Sequence, residues 1–156
     1  MKKILFILNI ILLISWMGVI FSFSNESGVS SSSKSSRVLI KTVEIFKHEK
    51  LTSKQKEKLV KKYGNLIRKL AHMFIYFILA ILSYLLLFQL YGLKPVTIIY
   101  TIIFCFIYAI ADEIHQSFIP NRTPSIIDIL IDTCGSILFL LIPTISIVKR
   151  KIVTNK

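Results

Sequence analysis

The chain has 156 residues, 54% of them hydrophobic, and a mean hydropathy of +0.69. That composition excludes an ordinary water-soluble domain of this length and points to lipid as the solvent. The net charge of +12 comes without any nucleic-acid motif, and 12 of the 20 Lys and Arg lie between residues 34 and 69, so an anionic lipid surface is the fitting partner and nucleic acid is not.

A membrane-crossing helix needs about 20 mostly apolar residues. The first such run covers residues 4–23, after Lys2 and Lys3. It is long, and no small-x-small cleavage site follows it near residues 21–27, so it is expected to be an uncleaved anchor and not a signal peptide. Residues 22–36 then hold nine serines, a low-complexity composition that predicts a flexible linker. Residues 51–70 predict a helix. Thr52 and Gln55 match a capping box, and Leu59, Tyr63, Leu66, Ile67 and Leu70 recur at helical spacing over a lysine-rich opposite face. Such an amphipathic helix suits an anionic interface and would lead into the second span.

The second span is predicted over residues 71–91. The third covers 96–114, with Pro95 suited to its first turn, and the fourth covers 125–148, with Pro143 near its end. The links around residues 91–95 and 115–124 are short, which makes the last three spans antiparallel neighbours. Pro120, Asn121 and Pro124 supply turn chemistry to the second link. The expected architecture is all-α: one domain over residues 1–156, an integral membrane four-helix bundle with an amphipathic helix in its first extracytoplasmic loop. Cys105 and Cys134 fall inside apolar runs and read as small core residues, with no disulfide framework.

Four spans place both termini on one side and the first loop and the 115–124 link on the other. Lys2 and Lys3, with Lys149, Arg150, Lys151 and Lys156, favour cytoplasmic termini, whereas a literal positive-inside count includes the basic first loop and favours the reverse. The first helix often dominates, so the expectation is a multi-pass membrane protein with both termini in the cytoplasm.

The same alternation gathers the ionisable residues at one membrane face. On the second span Lys69, His72 and Tyr76 share a side, with Arg68 one turn before His72. On the third, Tyr108, Asp112 and His115 form a stripe, Glu113 is adjacent, and Gln116 lies one turn beyond Asp112. On the fourth, Ser125, Asp128 and Asp132 lie along one side, followed by Gly135, which would let a neighbouring helix approach closely. Lipid cannot satisfy such groups, so the stripes are expected to turn inward. Arg122 in the link adds a third cation to Arg68 and Lys69, against the carboxylates of Asp112, Glu113, Asp128 and Asp132.

Several roles fit these residues. They can fasten helices as ion pairs and hydrogen bonds. Arg68 and Arg122 can hold a phosphate or carboxylate, since guanidinium geometry suits such oxyanions, with His72, Asp112 and His115 as the pocket centre and Asp128 and Asp132 orienting them. His72, His115 and Asp112 are also the candidates for general acid–base work in an intramembrane enzyme. A metal has suitable ligand types here, but Asp-Glu-x-His-Gln is not a known zinc spacing such as His-Glu-x-x-His, and no metal or cofactor is assigned. There is no glycine-rich phosphate loop and no nucleophile elbow. A pure interaction subunit is the remaining alternative, and the oligomeric state is open.

At Arg68-Lys69-Leu70-Ala71-His72, at Tyr108 through Gln116, and at Pro120-Asn121-Arg122-Thr123 followed by Asp128-x-x-x-Asp132, the chain resembles the VanZ-like family of small bacterial membrane proteins. The resemblance covers nearly the whole chain. It implies a multi-pass protein of the cell envelope, with a link to resistance against teicoplanin, a glycopeptide antibiotic acting outside the membrane. The partner it implies is a membrane lipid, a lipid-linked envelope precursor or another anionic amphiphile. Two positions depart from the family's pattern. Ile75 stands where an acidic residue is frequent, which puts any role of that carboxylate in doubt. Asn121 stands where glycine is frequent, and Asn tolerates the same left-handed turn.

Overall fold

The computed structural model describes residues 2–154. Lys156, and the side chains of Lys2 and Lys151, lie outside the described residues. The described chain forms five helices: α1 (Lys2–Ser24), α2 (Gly28–Lys47), α3 (Ser53–Tyr91), α4 (Pro95–Gln116) and α5 (Ile126–Thr154), with no strand among those residues. Four of them, α1, α3, α4 and α5, are long and apolar enough to cross a membrane.

α1 is apolar all round. Ile4, Ile7, Ile11 and Ile14 are each more than half exposed, a surface suited to hydrocarbon and costly in water. Its inner side buries Leu13 and Ile20 against Tyr76, Leu79 and Ala80 of α3 and Cys105 and Ala109 of α4. Two polar tips tie these helices across the core. The Trp16 indole N–H donates to the Ile75 carbonyl at 3.1 Å, and the Tyr108 hydroxyl donates to the Met17 carbonyl at 2.9 Å. The cysteines do not pair: Cys105 is buried with its Sγ 3.7 Å from Ser83 Oγ, while Cys134 is exposed on α5.

α3 organises the molecule and packs on every other helix. At about 1.5 Å per residue its 39 residues extend about 58 Å, nearly twice a hydrocarbon core of about 30 Å. The predicted amphipathic segment and the second span are therefore one uninterrupted helix. Its start is the predicted capping box, with Thr52 accepting from the Gln55 amide and the Gln55 side chain accepting from the Thr52 amide. Because α3 runs on without a break, its first turns continue along the direction of the span and do not branch off flat along the interface.

The serine run is a helix and not a flexible linker. Ser27 caps α2 by accepting from the Ser30 amide. The Ser35 and Ser36 hydroxyls donate to carbonyls one turn back, at 3.0 and 2.7 Å, which satisfies them within the helix. Tertiary contact supplies what the composition lacks. α2 packs antiparallel on the outer part of α3, burying Leu39, with Ser36 facing Gly64. Its far end is closed by His48 in the left-handed region (φ 52°) and by Glu44, whose carboxylate accepts from the Leu51 amide and from Lys56, both at 3.0 Å.

α3 and α5 share the largest interface in the bundle. Gly135 makes it possible: a Cβ there would lie 2.1 Å from the Met73 carbonyl oxygen. One residue on, the Ser136 hydroxyl donates to the Tyr76 carbonyl at 3.3 Å. α5 continues helically past Pro143, where the missing N–H leaves the Phe139 carbonyl without its amide partner. Gly135→Ala should force the two backbones apart and lower stability by about 1–3 kcal/mol. Gly18→Ala, with open space around it in the interior of α1, should leave stability unchanged or raise it by up to about 1 kcal/mol. Thermal unfolding of the two variants in detergent checks the contrast.

Candidate functional site

The C-terminal end of α1, all of α2, the outer half of α3, the C-terminal end of α4 and the N-terminal end of α5 meet at one end of the bundle. The 117–124 link is fixed there by backbone groups that helix ends leave unsatisfied. Arg122 donates from Nη2 to the Phe23 carbonyl and from Nε to the Glu26 carbonyl, both at 2.9 Å. The Gly28 amide donates to the Pro120 carbonyl at 3.3 Å, and a Cβ on Gly28 would lie 2.0 Å from the Asn121 carbonyl oxygen. Asn121 takes the left-handed conformation (φ 59°) that lets the link turn here. Glu26 also pairs with Lys34.

Beneath this corner is a cavity of about 240 Å³. From α3 it is lined by Asn65, Arg68, Lys69 and His72; from α4 by Glu113 and Gln116; from the link and the residue after it by Asn121, Arg122, Thr123 and Ser125; and from α5 by Asp128, Ile131 and Asp132. Helical rise sorts these into depths. Arg68, Gln116 and Ser125 lie near the outer end; His72, Glu113 and Asp128 come next; and Asp132 lies a further turn inward along α5.

Several of the polar groups are occupied in holding helices together. Lys69 pairs with Asp128 at 3.0 Å, joining α3 to α5. Glu113 Oε1 accepts from the Ser125 amide at the start of α5, where a carboxylate also meets the positive end of the helix dipole. The Gln116 side-chain amide donates to Asp112 at 2.8 Å and to the fully buried Ser24 hydroxyl at 3.2 Å, joining α4 to α1.

Tyr76, Asp112 and His115, expected in or beside the pocket centre, do not line the cavity. On α4, Glu113 and Gln116 line the cavity, whereas Asp112 is buried and accepts from the Gln116 side chain on its own helix, and His115 turns toward α1. The His115 ring stacks on Phe21 at 4.6 Å with its Nε2 buried and unpartnered. Tyr76 lies deeper, fully buried beside Tyr108. The fastener Ser24 and the cavity-lining Asn65 were not among the expected residues. Asn65 stands one turn before Lys69, so extending the α3 stripe backward finds it. Ser24 carries no signal beyond ending an apolar run.

What remains unmatched is electrostatic. Among the described residues neither Arg68 nor Arg122 has an ion-pair partner, and Arg68 donates only to Asn65, at 3.2 Å. Burial first, and then the facing charge of Arg68, draws the Arg122 guanidinium below its usual range, yet a guanidinium stays cationic at any physiological pH. Two like charges thus face one cavity. His72 sits in the field of Asp112, Arg122, Arg68 and Asp128 without a hydrogen bond to a carboxylate. Among the described residues no group of three or more His, Cys, Asp or Glu is placed to hold a metal ion.

Arg122→Ala should remove two hydrogen bonds and leave the Glu26 carbonyl open, the Phe23 carbonyl keeping the Glu26 amide, and should lower stability by about 2–3 kcal/mol, whereas Arg68→Ala, which gives up one exposed contact, should unfold within a degree or two of the parent. Melting curves in detergent check the pair.

Comparison with known proteins is brief. No curated protein matches this chain, and no solved structure does. A family model described as VanZ/LLP1 matches residues 8–147, a stretch that contains every residue of the cavity and the corner above it. The chain belongs to the VanZ/LLP1 family.

Proposed function

We propose that this is a multi-pass protein of the bacterial cytoplasmic membrane, and that its outward-facing cavity binds the anionic headgroup of an amphiphilic envelope molecule. The supporting observation is the pair Arg68 and Arg122. Both face a cavity of about 240 Å³, and neither has a carboxylate within ion-pair distance among the described residues. An oxyanion between them relieves their repulsion and fills the guanidinium hydrogen-bonding capacity. The volume suits a headgroup. A whole lipoglycopeptide is far larger, so any effect on teicoplanin susceptibility works through an envelope molecule or through a fragment of the antibiotic.

The rival reading, that the polar residues only fasten helices, accounts for Lys69, Asp112, Glu113, Gln116 and two of the five N–H donors of Arg122. It does not account for Arg68 and His72. An intramembrane enzyme has less support, because neither His72 nor His115 hydrogen-bonds a carboxylate, the arrangement a histidine base ordinarily uses.

Two variants separate the readings. Expressed in a teicoplanin-susceptible bacterium, the parent should raise tolerance. His72→Ala should abolish that gain at unchanged membrane abundance. Asp112→Ala, which removes the buried acceptor that orients the Gln116 side chain toward Ser24 of α1, should lose abundance along with tolerance. If His72→Ala loses abundance equally, or keeps full tolerance, the pocket reading fails. Purified protein should also retain phosphatidylglycerol about tenfold more tightly than its Arg68→Ala variant does, by native mass spectrometry. Equal retention would remove Arg68 from the site.

A further inference from the structure

The cavity carries a second electrostatic mismatch, opposite in sign and on the other side of it. Asp132 is only 3% exposed and its Oδ1 has no partner, although the residue lines the cavity. The charged groups that act on it are Asp112, Asp128 and Glu113, all carboxylates. The nearest lysine in the cavity, Lys69, is engaged with Asp128. Across from Asp132, α3 presents His72, and α4 presents Glu113. An isolated buried carboxylate must take either a proton or a cation.

Resting on the anion reading above, we propose that the cavity recognises a zwitterionic headgroup: a phosphate held by Arg68 and Arg122, and a primary ammonium, two carbons away, held by Asp132 with Asp128. Arg68, Arg122 and Asp132 line the same cavity of about 240 Å³; by helical rise Asp132 lies about 10 Å inward of the level of Arg68, a gap that the long guanidinium side chains shorten to the reach of a phosphate joined to an amine by a short spacer. A primary ammonium has three N–H donors for the open Oδ1 of Asp132 and its neighbours. It also suits the site better than an inorganic cation, because no preassembled group of three acidic or His/Cys ligands surrounds the position. A trimethylated amine has no N–H to donate and is larger than the two-carboxylate end of the cavity needs. The ligand chemistry is therefore phosphoethanolamine, carried either by a phospholipid or by a soluble molecule.

The test uses the full chain in lipid nanodiscs or detergent. The parent should bind phosphatidylethanolamine about tenfold more tightly than phosphatidylglycerol, and affinity should fall stepwise as the amine is N-methylated toward phosphatidylcholine. Asp132→Asn should bring phosphatidylethanolamine down to the level of phosphatidylglycerol and leave phosphatidylglycerol unchanged. Arg68→Ala should weaken both lipids alike. Competition by soluble phosphoethanolamine as strong as by the lipid assigns the ligand to a soluble source; competition only by the lipid assigns it to the membrane. Both outcomes support the recognition chemistry. An Asp132→Asn protein that keeps the parent's preference for the amine, or a methylation series without slope in the parent, overturns it. The series needs no variant, so the proposal stays testable if Asp132→Asn fails to fold. If Arg68→Ala leaves both lipids bound, the anion reading itself fails, separately from the ammonium.

Discussion

A charged or hydrogen-bonding side chain near the middle of a bilayer has no water to answer it, and every polar feature of this molecule follows from that constraint. Helices α3, α4 and α5 each bring ionisable residues to the same end of the bundle. Once there, the groups must be matched to one another, to helix ends or to a ligand. Lys69 with Asp128, Glu113 with the first amide of α5, Gln116 between Asp112 and Ser24, and Arg122 on the carbonyls where α1 ends are the matched ones. They build a corner that joins α1, α4 and α5 around the outer half of α3. Among the groups that line the cavity, matching stops short of completion at Arg68, His72 and Asp132, and Arg68 and Asp132 mark opposite ends of it.

The helices can meet closely enough for this only because of small residues at two contacts. Gly135 lets α5 approach the backbone of α3 at Met73, and Gly28 lets the start of α2 approach the 117–124 link at Asn121. The first contact positions Asp128 and Asp132 against Lys69 and His72. The second lowers the link onto the α1–α2 corner and brings Arg122 over the cavity. The hairpin of α2 and the outer part of α3 extends the same end of the molecule, so the cavity opens beneath a basic, serine-rich projection and away from the chain termini.

The spans were readable because a 20-residue apolar run is an unambiguous signal, and their alternation alone put Arg68, Glu113, Asp128 and Asp132 at one end. The capping box at Thr52, the close approach at Gly135 and the left-handed turn at Asn121 were also readable, since each depends on local chemistry. The serine run was not. Its helix rests on packing against Gly64 and Leu39's burial, neither of which composition reveals. Nor could the sequence say which way each α4 residue points. Asp112 and Glu113 are neighbours in the chain, yet Glu113 lines the cavity and holds the start of α5, while Asp112 is buried outside the lining and holds Gln116. The role of Arg122 lay partly hidden for a similar reason: its partners are carbonyls of residues nearly a hundred positions away.

The central claim is that α3, α4 and α5 bring their charged side chains into one chamber at a single end of the bundle. Cross-linking in native membranes tests it most directly. In a background with Cys105 and Cys134 replaced by Ala, Lys69→Cys and Asp128→Cys should join rapidly through a short bifunctional thiol reagent, while Lys69→Cys with Lys94→Cys, at opposite ends of the bundle, should not. If the first pair stays unlinked although each thiol reacts singly, or if the second pair joins as readily, the chamber does not exist in the form described.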